Sequence, residues 1–485
     1  MRSSLVALVI SALLCPLLPA CTSESPTRTT GTLEPFLFHH IKTYEMVLEQ
    51  LDETDTEFAA NHYNVFIGFP QVPYVYEVNP RILVLSYQTL RANSGDDFGP
   101  TCDDDTLCAE AWASARGCDH EDFFLHYKIN VNYTMTFGSD GITRLVRVPG
   151  WDPTRPPGDP TASAESEDEA RVWGIWSPEQ RWANVADSCW RHWRTERVVG
   201  AMRRNGRDVD GILLDGIAAQ LTTMDYIKLN KTHEYWEETI DENFTLIDDR
   251  YGYVQFLGDY FDEYFGEEKI LMANAEATWY LASEAANASR LQSNFEWVLV
   301  ESGVRYDPDN PGVPGCCYEA NYDNLMILYN LAQSGTKILF GGVDISDSER
   351  GTLFGLATFY LMNHENMYYG RNVPTAEGLW WFDAVAYDIG PPSGEPYEWA
   401  TGTDPSSPPN EFHIVARDYV HALVLVKFRN QLSLDFGESS ATAHALDKFY
   451  RPLQMDGSLG DSTSVVTLRN NEAAILIPTY NVGNW

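Results

Sequence analysis

The stretch VDGILLDGIAAQ, Val209 to Gln220, decides how the rest of the chain is read. Ile212, Leu213 and Leu214 form an unalternating apolar run, which fits a strand covered on both faces, and the run stops at Asp215 followed by Gly216. A carboxylate at the exit of a buried strand either caps the next helix or belongs to a site built where strands end. The Gly-Ile-Ala-Ala that follows opens no strongly patterned helix, which favours the second reading. Asp210, at the start of the strand, falls on the opposite, stabilising face.

Outward from this stretch the chain repeats one phrase: an amphipathic helix, a glycine or polar break, then a short apolar strand. Val254, Leu257, Phe261 and Tyr264 recur at helical spacing before Gly266 and ILMANAE; WVLVESG runs from Trp297 to Gly303. Leu325, Leu328 and Leu331 mark a further helix face, closed by Gly335 before KILFGGVD, and a helix from Glu349 to Met362 leads to MYYG. Upstream, VFIGF at Val65, ILVLSYQ at Ile82 and FFLHYK at Phe123 supply earlier strands, and a Trp-rich helix from Pro178 to Arg204 precedes the opening stretch. Together these make eight strands, which predicts an α/β fold of the (β/α)8 TIM-barrel type. No strand leads into a glycine-rich phosphate loop, so the main reason to prefer a nucleotide-binding sheet is missing.

After the Pro-, Gly- and Ser-rich stretch Asp388 to Asn410 the texture turns to β, with HALVLVKFRN, ATAHALDKFYRPL and SVVTLRNNEAAILIP broken by Asn, Asp and Gly. This predicts a small C-terminal antiparallel β-sandwich. At the other end, Leu5 to Leu18 is an apolar run too short to span a bilayer and reads as a secretory signal. It ends in LPAC, Leu18 to Cys21, which resembles a bacterial lipobox with Cys21 as the lipidated first residue; plain cleavage near Ala20 is the rival reading. The expected organisation is a signal peptide over 1–20, a flexible tether over 21–34, a barrel over 35–405 and a sandwich over 410–485. Sequons at Asn132, Asn230, Asn243 and Asn287 matter only in a eukaryotic secretory route, which conflicts with lipidation.

Cys102, Cys108, Cys118, Cys189, Cys316 and Cys317 remain after the signal and lipidation positions are set aside. In an exported chain they read as disulfides, and the first four are expected to be oxidised. Their spacing matches no compact Cys/His zinc pattern, so no metal and no cofactor is expected.

The acids fall in register with the strands. Asp215 ends the fourth strand, Asn274 and Glu276 follow the fifth, Glu301 ends the sixth and Asp344 follows the seventh. Carboxylates converging on one barrel mouth are what glycoside hydrolysis requires: one to attack or to activate water, one to protonate the leaving oxygen. Each also has a structural reading as a helix cap, which for Asp344, before ISDSER, is the favoured one. Tyr87, in ILVLSYQ, and the loop tryptophans Trp279 and Trp380 are candidates to hold the substrate, although most tryptophans are packing residues.

DGILLDG, ILMANAE, WVLVESG and LFGLATFYLMNHENMYYG, in that order, resemble the TIM-barrel glycoside hydrolases of the hypothetical glycosyl hydrolase 15 type, related in pattern to the endo-polygalactosaminidase family. HEDFFLHYK and the C-terminal tail fit the same resemblance, which covers most of the chain. It implies a barrel with a small β-domain, and catalytic acids at Asp215 and Glu301. Gly216 departs from the acidic or polar residue expected after the strand-four Asp.

A formal charge of -37 sets the chain against nucleic acid, whose phosphates it would repel. The expectation is therefore a monomeric exported hydrolase of an oligo- or polysaccharide, reaching the membrane only through a lipid at Cys21. The competing readings are a catalytically inactive barrel that binds glycan, and a structural envelope lipoprotein. A concave acidic and aromatic cleft separates the first two from the third.

Overall fold

The computed structural model describes residues 41–69, 72–89, 92–93, 109–124, 131–136, 143–148, 181–204, 207–215, 245–266, 268–275, 294–306, 318–344, 348–371, 379–407, 409–429 and 437–479. The first strand is one that charge conceals. Tyr44–Gln50 (β1), YEMVLEQ, alternates so that Tyr44 and Met46 pack among the residues that fill the interior of the main sheet, while Glu45 is buried beside Tyr63 and Trp380. Helix Glu53–His62 (α1) follows, its N-cap Asp52 accepting from the Asp55 amide. Strand Val65–Phe69 (β2), helix Val72–Val78 (α2) and strand Leu83–Thr89 (β3) complete the opening units.

FFLHYK, expected as a barrel strand, is described only at Phe123 and Phe124, and neither joins the sheet. Phe123 closes a 3-10 turn, Phe124 makes an isolated antiparallel bridge with Ala183, and residues 125–130 lie outside the described residues. The ring of Phe123 packs instead on Trp193, 5.5 Å away between centroids. Helix Ala109–Arg116 (α3) is tied there by the disulfide Cys118–Cys189 and by Glu196, which accepts from Trp112 at 2.7 Å and from Arg116 at 3.1 Å. Cys102, Cys108, Cys316 and Cys317 lie outside the described residues.

Helix Ser188–Met202 (α4), capped by Asp187, leads into strand Gly211–Asp215 (β4). Then come helix Thr245–Phe265 (α5), strand Ile270–Asn274 (β5), strand Trp297–Tyr306 (β6), helix Tyr318–Gln333 (α6), strand Lys337–Asp344 (β7), helix Glu349–Met362 (α7) and strand Met367–Gly370 (β8). Gly266 and Gly335, at φ +66° and +108°, take the left-handed conformation that ends α5 and α6 at little steric cost.

β1 to β8 form one parallel sheet in chain order. The sheet curls, and a parallel bridge between Thr43 and Tyr369, with the Tyr369 amide donating to the Lys42 carbonyl at 2.8 Å, brings its last strand beside its first. This architecture is consistent with a TIM barrel. Its interior is filled by a cluster that includes Ile67, Leu85, Leu213, Met272, Leu299 and Leu339. Each such side chain removed from water stabilises by roughly 1.5–3 kcal/mol. The ring of Tyr44 lies so close over Gly370 that a Cβ there would meet it at 2.5 Å.

The C-terminal part is a single sheet, not the expected sandwich. Strands Tyr397–Thr403 (β9), Glu411–Asp418 (β10), Leu423–Arg429 (β11), Thr442–Pro452 (β12), Thr463–Leu468 (β13) and Glu472–Pro478 (β14) pair in the order β9-β10-β11-β14-β12-β13. One face buries Val424, Val426 and Ile475 in the large cluster that also holds α7, and the other buries Ile414, Leu425, Tyr450 and Leu476 together. Helix α7 therefore supplies the layer that a second sheet would have supplied, and every residue from Phe354 to Met362 is buried. Arg417 of β10 donates to the carbonyls of Leu361 and Asn363 at 2.9 and 3.0 Å, satisfying the open end of α7 with a cation placed where its dipole favours one. Among the described residues no helix is long and apolar enough to cross a membrane.

Candidate active site

Strand periodicity sets the site. Leu85, Leu213, Met272 and Leu299 point into the sheet's interior, so the residues two further along each strand, Tyr87, Asp215, Asn274 and Glu301, project the same way at the C-terminal ends. All four meet. Tyr87 donates its hydroxyl to Asp215 Oδ2 at 2.6 Å, and the Asn274 amide donates to Asp215 Oδ1 at 2.8 Å and to Glu301 Oε1 at 2.7 Å. Carboxylate oxygens are acceptors, so two of them flanking one amide fix which of its atoms is the nitrogen. Asn274 is buried, whereas Asp215 and Glu301 keep partial access to solvent.

Two supports reach the site from outside the four strand ends. Arg194 of α4, itself buried, donates to the Thr89 carbonyl at 2.7 Å and to Gln88 Oε1 at 3.2 Å. Thr89 is the register partner of Asp215, so this contact fixes the strand end beside the acid. Tyr44 of β1 is buried within reach of the Glu301 charge, its phenol pushed far up, first by burial and then by the negative charges of Glu45 and Glu301. Neither residue was legible from sequence, because Arg194 lies within a helix that reads as packing and β1 reads as too acidic to be buried.

The other expected residues divide. Trp380 is no sugar platform: it is 6% exposed and its ring lies among Tyr63, Tyr369, Trp381 and Phe382, so no open face remains. Ser348 is the N-cap of α7, accepting from the Gly351 amide at 3.0 Å, and Asp344 ends β7 in register with Tyr306. Glu276 and Trp279 lie outside the described residues, as does Cys21. Asp210 has the structural role expected of it, accepting from the Tyr76 hydroxyl at 2.7 Å and the Val84 amide at 2.8 Å. Among the described residues no cluster of three or more His, Cys, Asp or Glu side chains is placed to hold a metal ion.

No family model matches the chain, and no curated protein matches it. Solved structures overlap it at low similarity. A debranching enzyme from Nostoc punctiforme aligns at 10% identity and a TM-score of 0.37, with 86% of each chain covered. An alpha-amylase from Malbranchea cinnamomea aligns at 9% identity and 0.40, over 90% of this chain and 96% of the other. A glycoside hydrolase family 30 subfamily 8 xylanase from Clostridium acetobutylicum aligns at 10% identity and 0.34, over 92% and 97%. Scores this low carry no argument about function, which rests on the residues themselves.

Proposed function

We propose that this protein is an exported glycoside hydrolase that cleaves an oligo- or polysaccharide with Asp215 and Glu301. The observation that carries the reading is the Asn274 amide held between the two carboxylates. Bonds of 2.8 and 2.7 Å to one nitrogen put Asp215 Oδ1 and Glu301 Oε1 no more than about 5.5 Å apart, and this closeness supports a retaining pair.

In this reading Asp215, oriented by Tyr87 and Asn274, attacks the anomeric carbon as the bond to the leaving oxygen breaks. Glu301 accepts from Asn274 through Oε1, so its proton sits on Oε2 and passes to that oxygen. Water then loses a proton to Glu301, attacks the same carbon and releases Asp215. Asn274 holds both groups in one geometry, and this ordering lowers the cost of reaching the transition state. Glu276, Trp279 and Asp344 are assigned to binding the sugar, on their places after strands five and seven. Export through a signal ending at a lipidated Cys21, and a monomeric state, complete the proposal.

The test is the configuration of the first-formed product, followed by proton NMR on whichever glycan or aryl glycoside the purified protein cleaves. Retained configuration is expected. Inversion would reject the assignment of Asp215 as nucleophile, and no cleavage across a broad panel would reject the hydrolase reading.

A further inference from the structure

The C-terminal sheet holds a cavity of about 500 Å³ that shares no residue with the strand-end site. Two irregularities in pairing open it. Strand β9 shifts register between Glu398 and Ala400, and β12 leaves its ladder with β13 between Ala445 and Tyr450. Bulges of this kind turn side chains away from the pleat, and here they turn Tyr397 and Trp399 toward Asp447, Lys448 and Tyr450, with Asp418 at the end of β10. The volume falls in the range of roughly 300–1,000 Å³ typical of small-molecule sites.

The lining is aromatic and acidic together. Tyr397 is 40% exposed, which leaves its ring open to the cavity. Trp399 is held edge-on by the His444 ring at 5.6 Å. The Tyr450 hydroxyl donates to Asp447 Oδ1 at 2.8 Å, and the Tyr397 phenol is pushed up to about 12, first by burial and then by the neighbouring charge of Asp418. The Tyr450 ring is thus fixed in place, and each carboxylate retains capacity to accept further hydrogen bonds. Lys448 lies over the Tyr450 ring at 5.3 Å, adding a donor.

We infer that this cavity binds a pyranose segment of a neutral oligosaccharide, making it a second glycan site on the C-terminal sheet. A pyranose offers an apolar C–H face ringed by hydroxyls, which matches flat aromatic rings flanked by carboxylate acceptors and an ammonium donor. Uronic acids and sulfated sugars are excluded by charge, since Asp418 and Asp447 would repel them. The inference goes beyond the hydrolase reading and does not require that Asp215 or Glu301 be catalytic.

The test uses the full chain on an array of neutral glucans, xylans, galactans, mannans and chitin oligomers, with polygalacturonate and sulfated glycans as anionic controls. Wild-type protein, Trp399→Ala and Tyr397→Ala are compared; Tyr397 is exposed enough that its replacement leaves the sheet folded, which is checked by an unchanged melting temperature. Retention of at least one neutral class, weakened tenfold or more by Tyr397→Ala, is the expected result, with kcat/KM unchanged on a small aryl glycoside if the protein cleaves one. Equal retention by wild type and Tyr397→Ala overturns the inference, as does wild-type protein that retains only anionic glycans or none. Loss of retention in Tyr397→Ala from a protein with no hydrolytic activity would leave the second site standing and remove the hydrolase reading. Hydrolysis with retention indifferent to Tyr397 would do the reverse.

Discussion

Tyr87 and Asp215 stand on adjacent parallel strands, diagonal across the interior face, and their side chains meet in a hydrogen bond of 2.6 Å. The register that pairs Thr89 with Asp215 places Tyr87 one step back on the same side, so the bond follows from strand pairing rather than from a loop. It supplies Asp215 with a donor that the fold holds rigidly. Replacing Tyr87 with Phe removes that donor and little else. Hydrogen bonds to charged groups are worth about 1.5–3 kcal/mol, so kcat is expected to fall roughly 10- to 100-fold with the melting temperature nearly unchanged. Steady-state rates within twofold of wild type would show that Tyr87 does not act on Asp215 during turnover.

Asn274 separates two acids with one neutral amide. In Asn274→Asp a third carboxyl enters the same space, and like charges so close cannot all ionise. The pH–rate profile is therefore expected to shift its acidic limb upward and its maximum to fall by about a hundredfold or more, whereas Asn274→Ala, which removes a neutral donor and adds no charge, moves the limb less. Identical profiles for the two variants would contradict this.

Glu301→Gln removes the proton donor but leaves a group that Asn274 can still orient. Substrates with good leaving groups need no protonation in the first step and should keep most of that rate, while poor leaving groups lose activity steeply. Asp215→Asn should abolish turnover of both. A Brønsted plot of rate against leaving-group pKa reads the difference; slopes equal in wild type and Glu301→Gln would place the donor elsewhere.

Glu45 is 4% exposed, and burial lifts its carboxyl from an ordinary 4.5 to about 8. In the unfolded chain the group ionises near 4.5, so the fold is fully favoured below that pH and loses stability as pH rises toward about 8. At pH 7 the loss is on the order of 3 kcal/mol. The Glu45→Gln replacement keeps the shape of the neutral acid and an acceptor oxygen for the Met46 amide, the shorter of the two backbone bonds that Glu45 accepts. Melting curves across this pH range should show Glu45→Gln gaining on wild type as pH rises, with near-equality at the acid end; a constant difference would mean that Glu45 is not the titrating group.

The Cys118–Cys189 disulfide closes a loop with a sequence separation of 71. Restricting an unfolded loop of that length is worth about 4 kcal/mol in the chain-entropy account. Reduction, or the double replacement by Ala, should therefore lower the melting temperature by several degrees while leaving kcat little changed, since α3 and α4 also share Glu196. Calorimetry with and without reductant measures it.

Seven of the eight main-sheet strands, β2 to β8, and the acids at their ends were legible because a strand buried on both faces must be continuously apolar, and any charge that ends it stands out. GILLD and WVLVE announce Asp215 and Glu301 in this way. β1 was not legible, since YEMVLEQ carries two acids within the length of a strand and only the pocket formed by Tyr63 and Trp380 makes a neutral Glu45 tolerable. FFLHYK misled for the opposite reason: aromatic density marks burial but not the layer in which a residue is buried.

The sequence by itself determined the alternation of helix and strand, the acids at the strand ends and the change to β texture after Asn410, because these rest on local periodicity and charge, whereas β9 lies in the Pro-, Gly- and Ser-rich stretch before it. Only the tertiary structure decided that Asn274 links Asp215 to Glu301, that Trp380 is enclosed, and that the C-terminal strands form one sheet against α7. Those facts depend on contacts between residues far apart in the chain, such as Leu423 with Leu476 or Arg417 with Leu361, and no local pattern records which distant partner a face will meet.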